Sequence, residues 1–277
     1  MARVAVIGLG LIGGSLALAL RGSHEVVGCD SDGETREAAA EAGLETSARA
    51  DLAVAGADLI VLAVPIAALA KTIVNLAQQI EDGMRMTDVG GVKVPIVEAA
   101  RRHLPDGSFV GGHPMAGSVG KGFGAADAGL FKGAQWALTP ETDAERASAA
   151  RIREWLAPAG ATFVEMAPAA HDRAVAFTSH LPYLTSLALS RAAQSAVKEG
   201  LPQVAELIGP GFRDSTRLAM TPPDMGQAMA IENDEALLLG LAALRYQLAQ
   251  FEVVIQNRMA REFKMLAQGI AEWREKV

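Results

Sequence analysis

The chain has 277 residues, of which 50% are hydrophobic, and its formal net charge is −7. This length and composition suit two domains with sizeable cores. The basic residues are scattered, so we expect neither nucleic acid nor a membrane surface as a partner. The single cysteine cannot form an internal disulfide, the N-terminus lacks signal-peptide features, and the apolar runs stop well short of the ~18 residues that a membrane helix needs. These features predict a cytoplasmic protein that does not span a membrane.

Short apolar runs alternate with helical stretches from residue 3 to about residue 166. The runs are almost wholly apolar, which is typical of parallel strands buried on both faces. The pattern predicts an α/β fold with a Rossmann-type, doubly wound and mostly parallel sheet of seven or eight strands. In chain order, the predicted elements are a strand at 4–7, a helix at 11–20, and strands at 25–29, 58–64, 85–89, 108–112, 135–139 and 162–165.

The remainder of the chain carries no strand signal and is predicted to be helical. Segments rich in glycine and proline at 209–211 and 221–224 separate its helices. We therefore predict an α/β domain at residues 1–167 and an all-helical domain at residues 168–277. The last long helix has apolar residues at alternating spacings of 4 and 3, which favours packing along another helix, either in the same chain or in a second subunit. This stripe consists of Leu237, Leu241, Leu244, Leu248, Phe251 and Ile255.

A glycine-rich loop follows the first predicted strand and opens the first predicted helix, which is the context of a dinucleotide-binding fingerprint. Gly8 permits the tight turn, Gly10 lets a pyrophosphate approach the backbone, and Gly13 lets the helix pack closely on the strand. A glycine-rich turn in some other α/β protein is the alternative. The predicted cofactor-binding residues here are Gly8, Leu9, Gly10, Leu11, Ile12 and Gly13, joined by Val64 and Pro65 at the end of a later strand.

A carboxylate ends the second predicted strand. Asp30 lies 22 residues after Gly8, where it would accept hydrogen bonds from the adenosine ribose and repel a 2′-phosphate. Arg36 is the only nearby residue that would compensate that repulsion. The sequence thus favours NAD over NADP as the cofactor, unless Asp30 is a plain turn residue.

A histidine directly follows the predicted strand at 108–112. His113 would then lie at the carboxyl edge of the sheet, where open α/β sheets bind ligands. Pro114 biases His113 toward an extended backbone, and an imidazole with a pKa near ~6.5 accepts a proton at neutral pH. We predict that His113 is a general base; a core histidine bonded to a carbonyl is the alternative.

Further candidate binding residues lie in the helical part. Pro182 interrupts a helix, so His180 either lines a cleft or caps the freed carbonyls. Arg217 is predicted to clamp a carboxylate, with Arg213 one helical turn away, unless either forms a surface ion pair with Asp214. No grouping of side chains has the spacing of metal ligands, so we expect no metal. The histidines without a surrounding motif, predicted to be solvated or structural, are His24, His103 and His171.

These motifs together resemble the prephenate and arogenate (cyclohexadienyl) dehydrogenase family of tyrosine biosynthesis. The resemblance implies a nucleotide-binding domain, a helical domain that forms a homodimer, and an active site between the domains. It also implies that a ring C4–H leaves as hydride to the nicotinamide while His113 takes the ring hydroxyl proton, after which carbon dioxide departs. The segments that carry the resemblance are 6–15, 112–118, 130–140, 179–182 and 211–217.

The resemblance also implies which residues contact the substrate. Arg217 matches an arginine that holds a substrate carboxylate, and Asp214 matches a carboxylate near the site. The predicted substrate-binding residues are Ser118, His180, Tyr183, Arg213, Asp214 and Arg217.

Four positions depart from the family pattern, all on the predicted substrate side. Gly91 stands where a serine hydroxyl often bonds the catalytic histidine, and Val119 stands where an acidic residue is frequent. Tyr183 replaces a second histidine, so its hydroxyl is a candidate replacement donor. Gly226 replaces a common tryptophan. The choice between prephenate, arogenate and a less usual cyclohexadienyl acid therefore stays open.

Two other functions fit the same motifs. The first is another NAD-linked reductase of the same two-domain plan, acting on a β-hydroxyacid or a cyclic imine, although its equivalent roles usually fall to a helical lysine rather than to a residue like His113. The second is a non-catalytic NAD-sensing protein.

Overall fold

A computed structural model describes residues 1–118 and 120–276 of the chain. An α/β part comes first and a helical part follows. The strands are β1 Arg3–Ile7, β2 Glu25–Cys29, β3 Glu45–Ser47, β4 Leu59–Leu62, β5 Arg85–Asp88, β6 Phe109–Val110, β7 Gly112–Pro114, β8 Gln135–Leu138 and β9 Thr162–Glu165. The α-helices are α1 Leu11–Leu20, α2 Gly33–Glu41, α3 Ala50–Val54, α4 Ile66–Leu76, α5 Val94–His103, α6 Asp143–Leu156, α7 Pro168–Val175, α8 Leu181–Lys198, α9 Gln203–Glu206, α10 Pro210–Thr216, α11 Pro223–Glu232, α12 Asp234–Gln256 and α13 Ala260–Arg274.

Six parallel strands form the main sheet in the order β3-β2-β1-β4-β5-β6. Strand β1 pairs with both β2 and β4, so the strand order reverses beside β1 and creates a switch point at its carboxyl end. Hydrophobic cores lie on both faces of the sheet, and for that reason Val4, Val6 and Ile60 are fully buried. This arrangement confirms the predicted Rossmann-type α/β fold.

Three further strands form a smaller sheet in the order β7-β8-β9, with β7 antiparallel and β9 parallel to β8. The prediction of one sheet of seven or eight strands was wrong, because the described residues form nine strands divided between two sheets. The predicted strand at 108–112 breaks at Gly111 into β6 and β7. His113 therefore does not follow a strand of the main sheet but lies inside β7, where it is paired with Ala137.

Helices and turns make up the described residues after Glu165. A π-helical turn at Ala176–His180 joins α7 to α8, and α12 packs against α7, α8 and α13. The chain covers the apolar stripe of α12 unevenly: Leu237 is 3% exposed, Leu241, Leu244 and Phe251 are partly buried, and Leu248 and Ile255 are 58% and 63% exposed. The intrachain packing predicted as one alternative thus accounts for part of the stripe and leaves the rest uncovered.

The same helix, α12, is long and apolar enough to span a membrane, by length and composition alone. Its most apolar 18-residue window has a mean hydropathy of 1.3, and 11% of that window is buried. The sequence-based expectation that apolar runs are too short to span a membrane overlooked this helix, because single polar residues interrupt its apolar run. A helix that packs on a second protein surface has the same composition.

A buried ion pair lies at the carboxyl end of β5. The side chains of Asp88 and Lys93 are both fully buried, and Lys93 Nζ donates to Asp88 Oδ2. Lys93 Nζ also donates to the carbonyl oxygen of Gly112 (2.6 Å), while Asp88 Oδ1 accepts from the Gly112 amide (3.0 Å). A Cβ on Gly112 would lie 2.5 Å from the Asp88 carbonyl, and one on Gly111 would lie 3.1 Å from Lys93 Cδ. The glycine pair therefore lets β7 lie directly against the two charges.

Replacing Lys93 by methionine removes one partner of this pair and leaves the Asp88 carboxylate buried without its cation. We expect Lys93→Met to lower the free energy of unfolding by about 3–5 kcal/mol, measured by urea denaturation. Lys71→Met on the exposed face of α4 is the matched control, expected to change stability by less than ~0.5 kcal/mol. Equal stability of both variants would contradict a structural role for the pair.

Candidate active site

The glycine loop lies at the switch point of the main sheet, between β1 and α1. Gly8 has a φ of +98°, and a Cβ there would lie 2.5 Å from the carbonyl oxygen of Ala63, so no other residue fits without strain. A Cβ on Gly13 would lie 1.9 Å from the Gly8 carbonyl oxygen, which explains the close packing of helix on strand. Around Gly10, in contrast, a Cβ would meet nothing within 4 Å. The amino end of α1 is thus open for a ligand to approach its amide groups.

The Asp30 carboxylate is fixed beside this loop. Its Oδ2 accepts from the Leu9 amide (2.8 Å) and its Oδ1 from the Asp32 amide (2.9 Å). Arg36 Nη1 donates to the carbonyl oxygen of Asp30 (2.9 Å), so a guanidinium also lies near this strand end. Each carboxylate oxygen keeps a free lone pair, which is the acceptor capacity that a ribose diol requires.

The remaining predicted cofactor-binding residues line the same edge of the sheet. The Leu9 side chain is fully buried beneath Gly28, so Leu9 contributes through its backbone. Val64 and Pro65 follow β4, and the Val64 amide nitrogen lies 3.1 Å from the position of a Cβ on Gly8. Leu11 and Ile12 form the first turn of α1 and are partly buried.

His113 is partly buried and is hydrogen-bonded to a residue of the helical part. Its Nδ1 lies 2.8 Å from His171 Nε2, and His171 Nδ1 lies 2.8 Å from Asp172 Oδ1. Asp172 also accepts from the amides of Lys93 (2.7 Å) and Val94 (2.8 Å) at the start of α5. A chain of hydrogen bonds therefore runs from His113 across the boundary between the α/β and helical parts.

The surroundings of His113 disfavour its protonated form. Burial lowers the pKa of His113 well below its usual value, and the nearby Lys93, His171 and His180 act in the same direction. Burial also lowers the pKa of Lys93, which the Asp88 carboxylate opposes. The His113 imidazole is consequently neutral at physiological pH, the state that a general base requires.

His180 is almost fully buried in the turn between α7 and α8. Its Nδ1 lies 3.1 Å from Asn233 Nδ2, which also donates to the Asp172 carbonyl (2.8 Å). The alternative that His180 caps freed helical carbonyls is not what the structure shows, since the Asn233 amide is its partner. Burial lowers the pKa of His180 to about 4, although the Asp172 carboxylate opposes this shift. His180 is therefore neutral in this position.

Tyr183 lies one helical turn after His180 and is buried against Gly226 of α11. A Cβ on Gly226 would lie 2.1 Å from the Tyr183 hydroxyl and 2.4 Å from its Cζ. The phenol thus occupies space that any side chain at position 226 would need. The tyrosine and the glycine, which both depart from the family pattern, are sterically matched to each other.

The three charged residues at 213–217 lie on the exposed turn from α10 into the 3₁₀ helix Arg217–Met220. Within the described residues neither arginine forms an ion pair with Asp214, so the surface-pair alternative is not what the structure shows. Ser186 of α8 fixes this turn by accepting from the Ala219 amide (2.8 Å). The structure records no direct contact between these three residues and His113.

Ser118 is exposed, and its hydroxyl accepts from the Gly120 amide (3.2 Å). Val119, the other departure in this loop, lies outside the described residues. His24 bonds the Ala2 amide and the Trp155 carbonyl, which is a structural role as predicted. Among the described residues, no group of three or more His, Cys, Asp or Glu side chains is placed to hold a metal ion.

Comparison with known proteins assigns both parts of the chain. Residues 16–165 match the model of the prephenate dehydrogenase nucleotide-binding domain, and residues 167–268 match that of the prephenate dehydrogenase dimerization domain. The chain belongs to the prephenate dehydrogenase family. This confirms the resemblance that the sequence motifs indicated.

Individual members of the prephenate dehydrogenase family support this assignment. The prephenate dehydrogenase of Bacillus subtilis is 36% identical over 240 residues, which are 83% of this chain and 64% of the relative. The chain therefore spans somewhat less than two thirds of that relative. Synechocystis arogenate dehydrogenase is 36% identical, with a TM-score of 0.88 over 99% of both chains. Prephenate dehydrogenase from A. aeolicus, solved with hydroxyphenyl propionate and NAD+, shares the fold at 24% identity, with a TM-score of 0.90 over 100% of this chain and 98% of that one.

Gly91, one of the departures from the family pattern, lies beside His113. A Cβ on Gly91 would lie 3.7 Å from both Cε1 and Nε2 of His113. A serine at this position, as the family pattern often has, would therefore bring its hydroxyl to the Nε2 side of the ring. In this chain the imidazole is held from the opposite nitrogen, by His171.

Sequence reasoning missed His171, Asp172 and Asn233 as members of this cluster. His171 was expected to be solvated or structural, but it is buried and bonded to His113. The available signal was the adjacent His-Asp pair in the first helix of the second domain. That signal was weak, because it says nothing about a partner 58 residues away.

The fit of Tyr183 against Gly226 can be tested by stability measurements. We expect Gly226→Ala to lower the free energy of unfolding by about 1–3 kcal/mol through overpacking. In a Tyr183→Ala background the same change should cost clearly less, which a double-mutant cycle with urea denaturation measures. Gly269→Ala in α13, where a Cβ meets nothing within 4 Å, is the control and should stabilise by up to ~1 kcal/mol. Additive effects of the changes at 183 and 226 would refute the steric match.

Proposed function

We propose that the protein catalyses the NAD-dependent oxidative decarboxylation of prephenate or arogenate, giving 4-hydroxyphenylpyruvate or tyrosine. The observation that carries this proposal is the neutral His113 imidazole on a strand beside the main sheet, backed by a hydrogen-bond chain, in a fold whose glycine loop is open to a dinucleotide. The relatives named prephenate dehydrogenase and arogenate dehydrogenase support the substrate class.

The residues of the switch point fit NAD. Its pyrophosphate would lie against the α1 amides at Gly10, and its adenosine ribose would bond the Asp30 carboxylate. The carboxylate disfavours a 2′-phosphate, so we propose NAD rather than NADP, with the Arg36 guanidinium as the feature that would make NADP tolerable. When bound, the oxidised nicotinamide accepts the hydride from the substrate ring.

His113 performs the acid–base part of the reaction. Its free nitrogen accepts the proton of the ring hydroxyl as the ring carbon gives up its hydride, and the hydroxyl becomes a carbonyl. Loss of the ring carboxylate as carbon dioxide then sends its bonding electrons into the ring, which becomes aromatic. The former carbonyl oxygen regains a proton from His113, so the residue is restored for the next turnover.

Charged and polar residues of the helical part would hold the substrate. Arg217 is the proposed clamp for a carboxylate, assisted by Arg213, and both guanidinium groups lack an ion pair with Asp214. The Tyr183 hydroxyl is the proposed neutral donor where relatives carry an imidazole. His180, Ser118 and Asp214 complete the proposed substrate set.

We further propose that the protein is a cytoplasmic homodimer with its domain boundary between residues 167 and 168. The last strand ends at Glu165 and the first helix of the second domain begins at Pro168. The match to a dimerization domain and the exposed side chains of Leu248 and Ile255 in the α12 stripe support a second subunit on this surface rather than lipid.

An absorbance assay at the nicotinamide band tests the proposed function directly. The protein is supplied with NAD or NADP and with prephenate or arogenate, and reduction of the cofactor is followed. We expect turnover with NAD and at least one of the two substrates. Turnover only with a β-hydroxyacid or a cyclic imine would favour the reductase alternative, and NAD binding without any turnover would favour a sensor.

Substitution of the base separates catalysis from cofactor binding. His113→Asn keeps a polar side chain but removes the proton acceptor, so hydride transfer should fall by ~10²-fold or more while the Kd for NAD stays nearly unchanged. The exposed histidine at the end of α5 supplies the control, His103→Asn, which should leave both quantities unaltered. Undiminished turnover in His113→Asn would reject the base assignment.

Removal of the proposed clamp should act on substrate affinity. We expect Arg217→Ala to raise the KM for prephenate or arogenate by at least ~10-fold, because a charge-assisted bond to a carboxylate is lost, and to leave the Kd for NAD unchanged. Steady-state kinetics and NAD titration measure the two effects. The exposed Arg102→Ala on α5 is the control, and an unchanged KM in Arg217→Ala would exclude the clamp.

A further inference from the structure

We propose that His171 and Asp172 are positioning residues that select the tautomer of His113, leaving Nε2 as the nitrogen that accepts the substrate proton. This inference rests on the proposed function and adds to it the identity of the reacting nitrogen and the device that fixes it. The argument follows the hydrogen bonds from Asp172 to His113, one group at a time.

Asp172 is restricted to accepting hydrogen bonds. Its Oδ1 accepts from the Lys93 amide (2.7 Å) and its Oδ2 from the Val94 amide (2.8 Å). Both are backbone N–H groups, which have no lone pair to offer in exchange. Each carboxylate oxygen of Asp172 thus already faces a backbone donor. The group that faces Oδ1 from His171, at 2.8 Å, must then also be a donor.

The tautomer of His171 follows from this restriction. In the neutral form of His171, the hydrogen that Nδ1 donates to Asp172 is the only N–H hydrogen on the ring. Nε2 of His171 is therefore a lone-pair acceptor. Because His171 is only 1% exposed, water cannot compete for either ring nitrogen.

The tautomer of His113 follows in turn. His113 Nδ1 lies 2.8 Å from His171 Nε2, so Nδ1 of His113 must carry the hydrogen that joins the two rings. Nε2 of His113 is then left with its lone pair. Among the described residues no group is hydrogen-bonded to that nitrogen, and Gly91 contributes no side chain beside it. The base is thereby presented on the ring edge that faces Gly91.

The same chain stabilises His113 once it has accepted a proton. Charged and titratable groups face the ring from three elements: Lys93 at the start of α5, His171 on α7 and His180 in the π-helical turn. Lys93 and His180 disfavour a positive charge on His113, as would a positive charge on His171, and Asp88 is already paired with Lys93. Asp172, acting through His171, is the anion that opposes them. Stabilisation of the protonated ring does not require a proton to leave His113 Nδ1, because polarisation of the two hydrogen bonds suffices.

Two substitutions at position 171 distinguish positioning from mere packing. His171→Gln places an amide oxygen where the His171 Nε2 acceptor was, whereas His171→Leu fills similar space without an acceptor. We expect kcat to fall by at least about tenfold in His171→Leu and to recover by several-fold in His171→Gln, with the KM and the Kd for NAD within about twofold of the parent protein. Kinetics are measured well below the melting temperature of each variant.

The matched control is His24→Leu, which removes a partly buried histidine whose bonds go to the Ala2 amide and the Trp155 carbonyl. It should lower the melting temperature and leave kcat unchanged. An undiminished kcat in His171→Leu, or equal losses in the leucine and glutamine variants, would overturn the inference. Absence of turnover in the parent protein with both substrates would instead overturn the proposed function, so the two failures are distinguishable.

Discussion

Asp88 and Lys93 form an ion pair whose side chains are both fully buried, so all their hydrogen-bond partners must be protein groups. Gly112 supplies the decisive ones: its amide bonds Asp88 and its carbonyl bonds Lys93. One peptide segment is thus held from both sides by fixed charges. Because His113 is the next residue, these bonds also fix the position of its backbone. A side chain at position 112 would clash with Asp88 and disrupt the bonds.

Asp172 connects this segment to the helical domain. It belongs to α7, yet it accepts from the amide of Lys93, a member of the buried pair, and from the amide of the next residue, Val94. Its own carbonyl is bonded by Asn233 from the start of α12. The contact between the two domains at the site is therefore made of directional hydrogen bonds rather than of apolar packing alone. A shift of the helical domain would disturb His113 through the same bonds, so the position of the His113 ring depends on how the two domains are docked.

The parts of the molecule that the sequence predicted well are those whose evidence is local. The glycine loop, the strand before it and the helix after it are contiguous, and Asp30 ends the neighbouring strand at a fixed distance along the chain. The division of the strands into two sheets was missed, because the side chains that hold the chain just after the break, Asp88 and Lys93 bonded to Gly112, lie more than 15 residues earlier. His171 was missed for the same reason: its partner lies 58 residues away, and neither residue carries a pattern that points to the other.

Two of the departures from the family pattern, at positions 91 and 226, are each accompanied by a contact from another residue. Gly91 removes a hydroxyl from the Nε2 side of His113, but the ring is held at Nδ1 by His171. Gly226 removes a side chain, and the phenol of Tyr183 fills the space. Burial keeps the neighbouring His180 neutral by lowering its pKa to about 4. In the function proposed above, the positive charge for a substrate carboxylate is assigned to the arginines at 213 and 217. On that proposal, selectivity between a keto acid and an amino acid depends on how the neutral groups around these arginines accept or exclude an ammonium group.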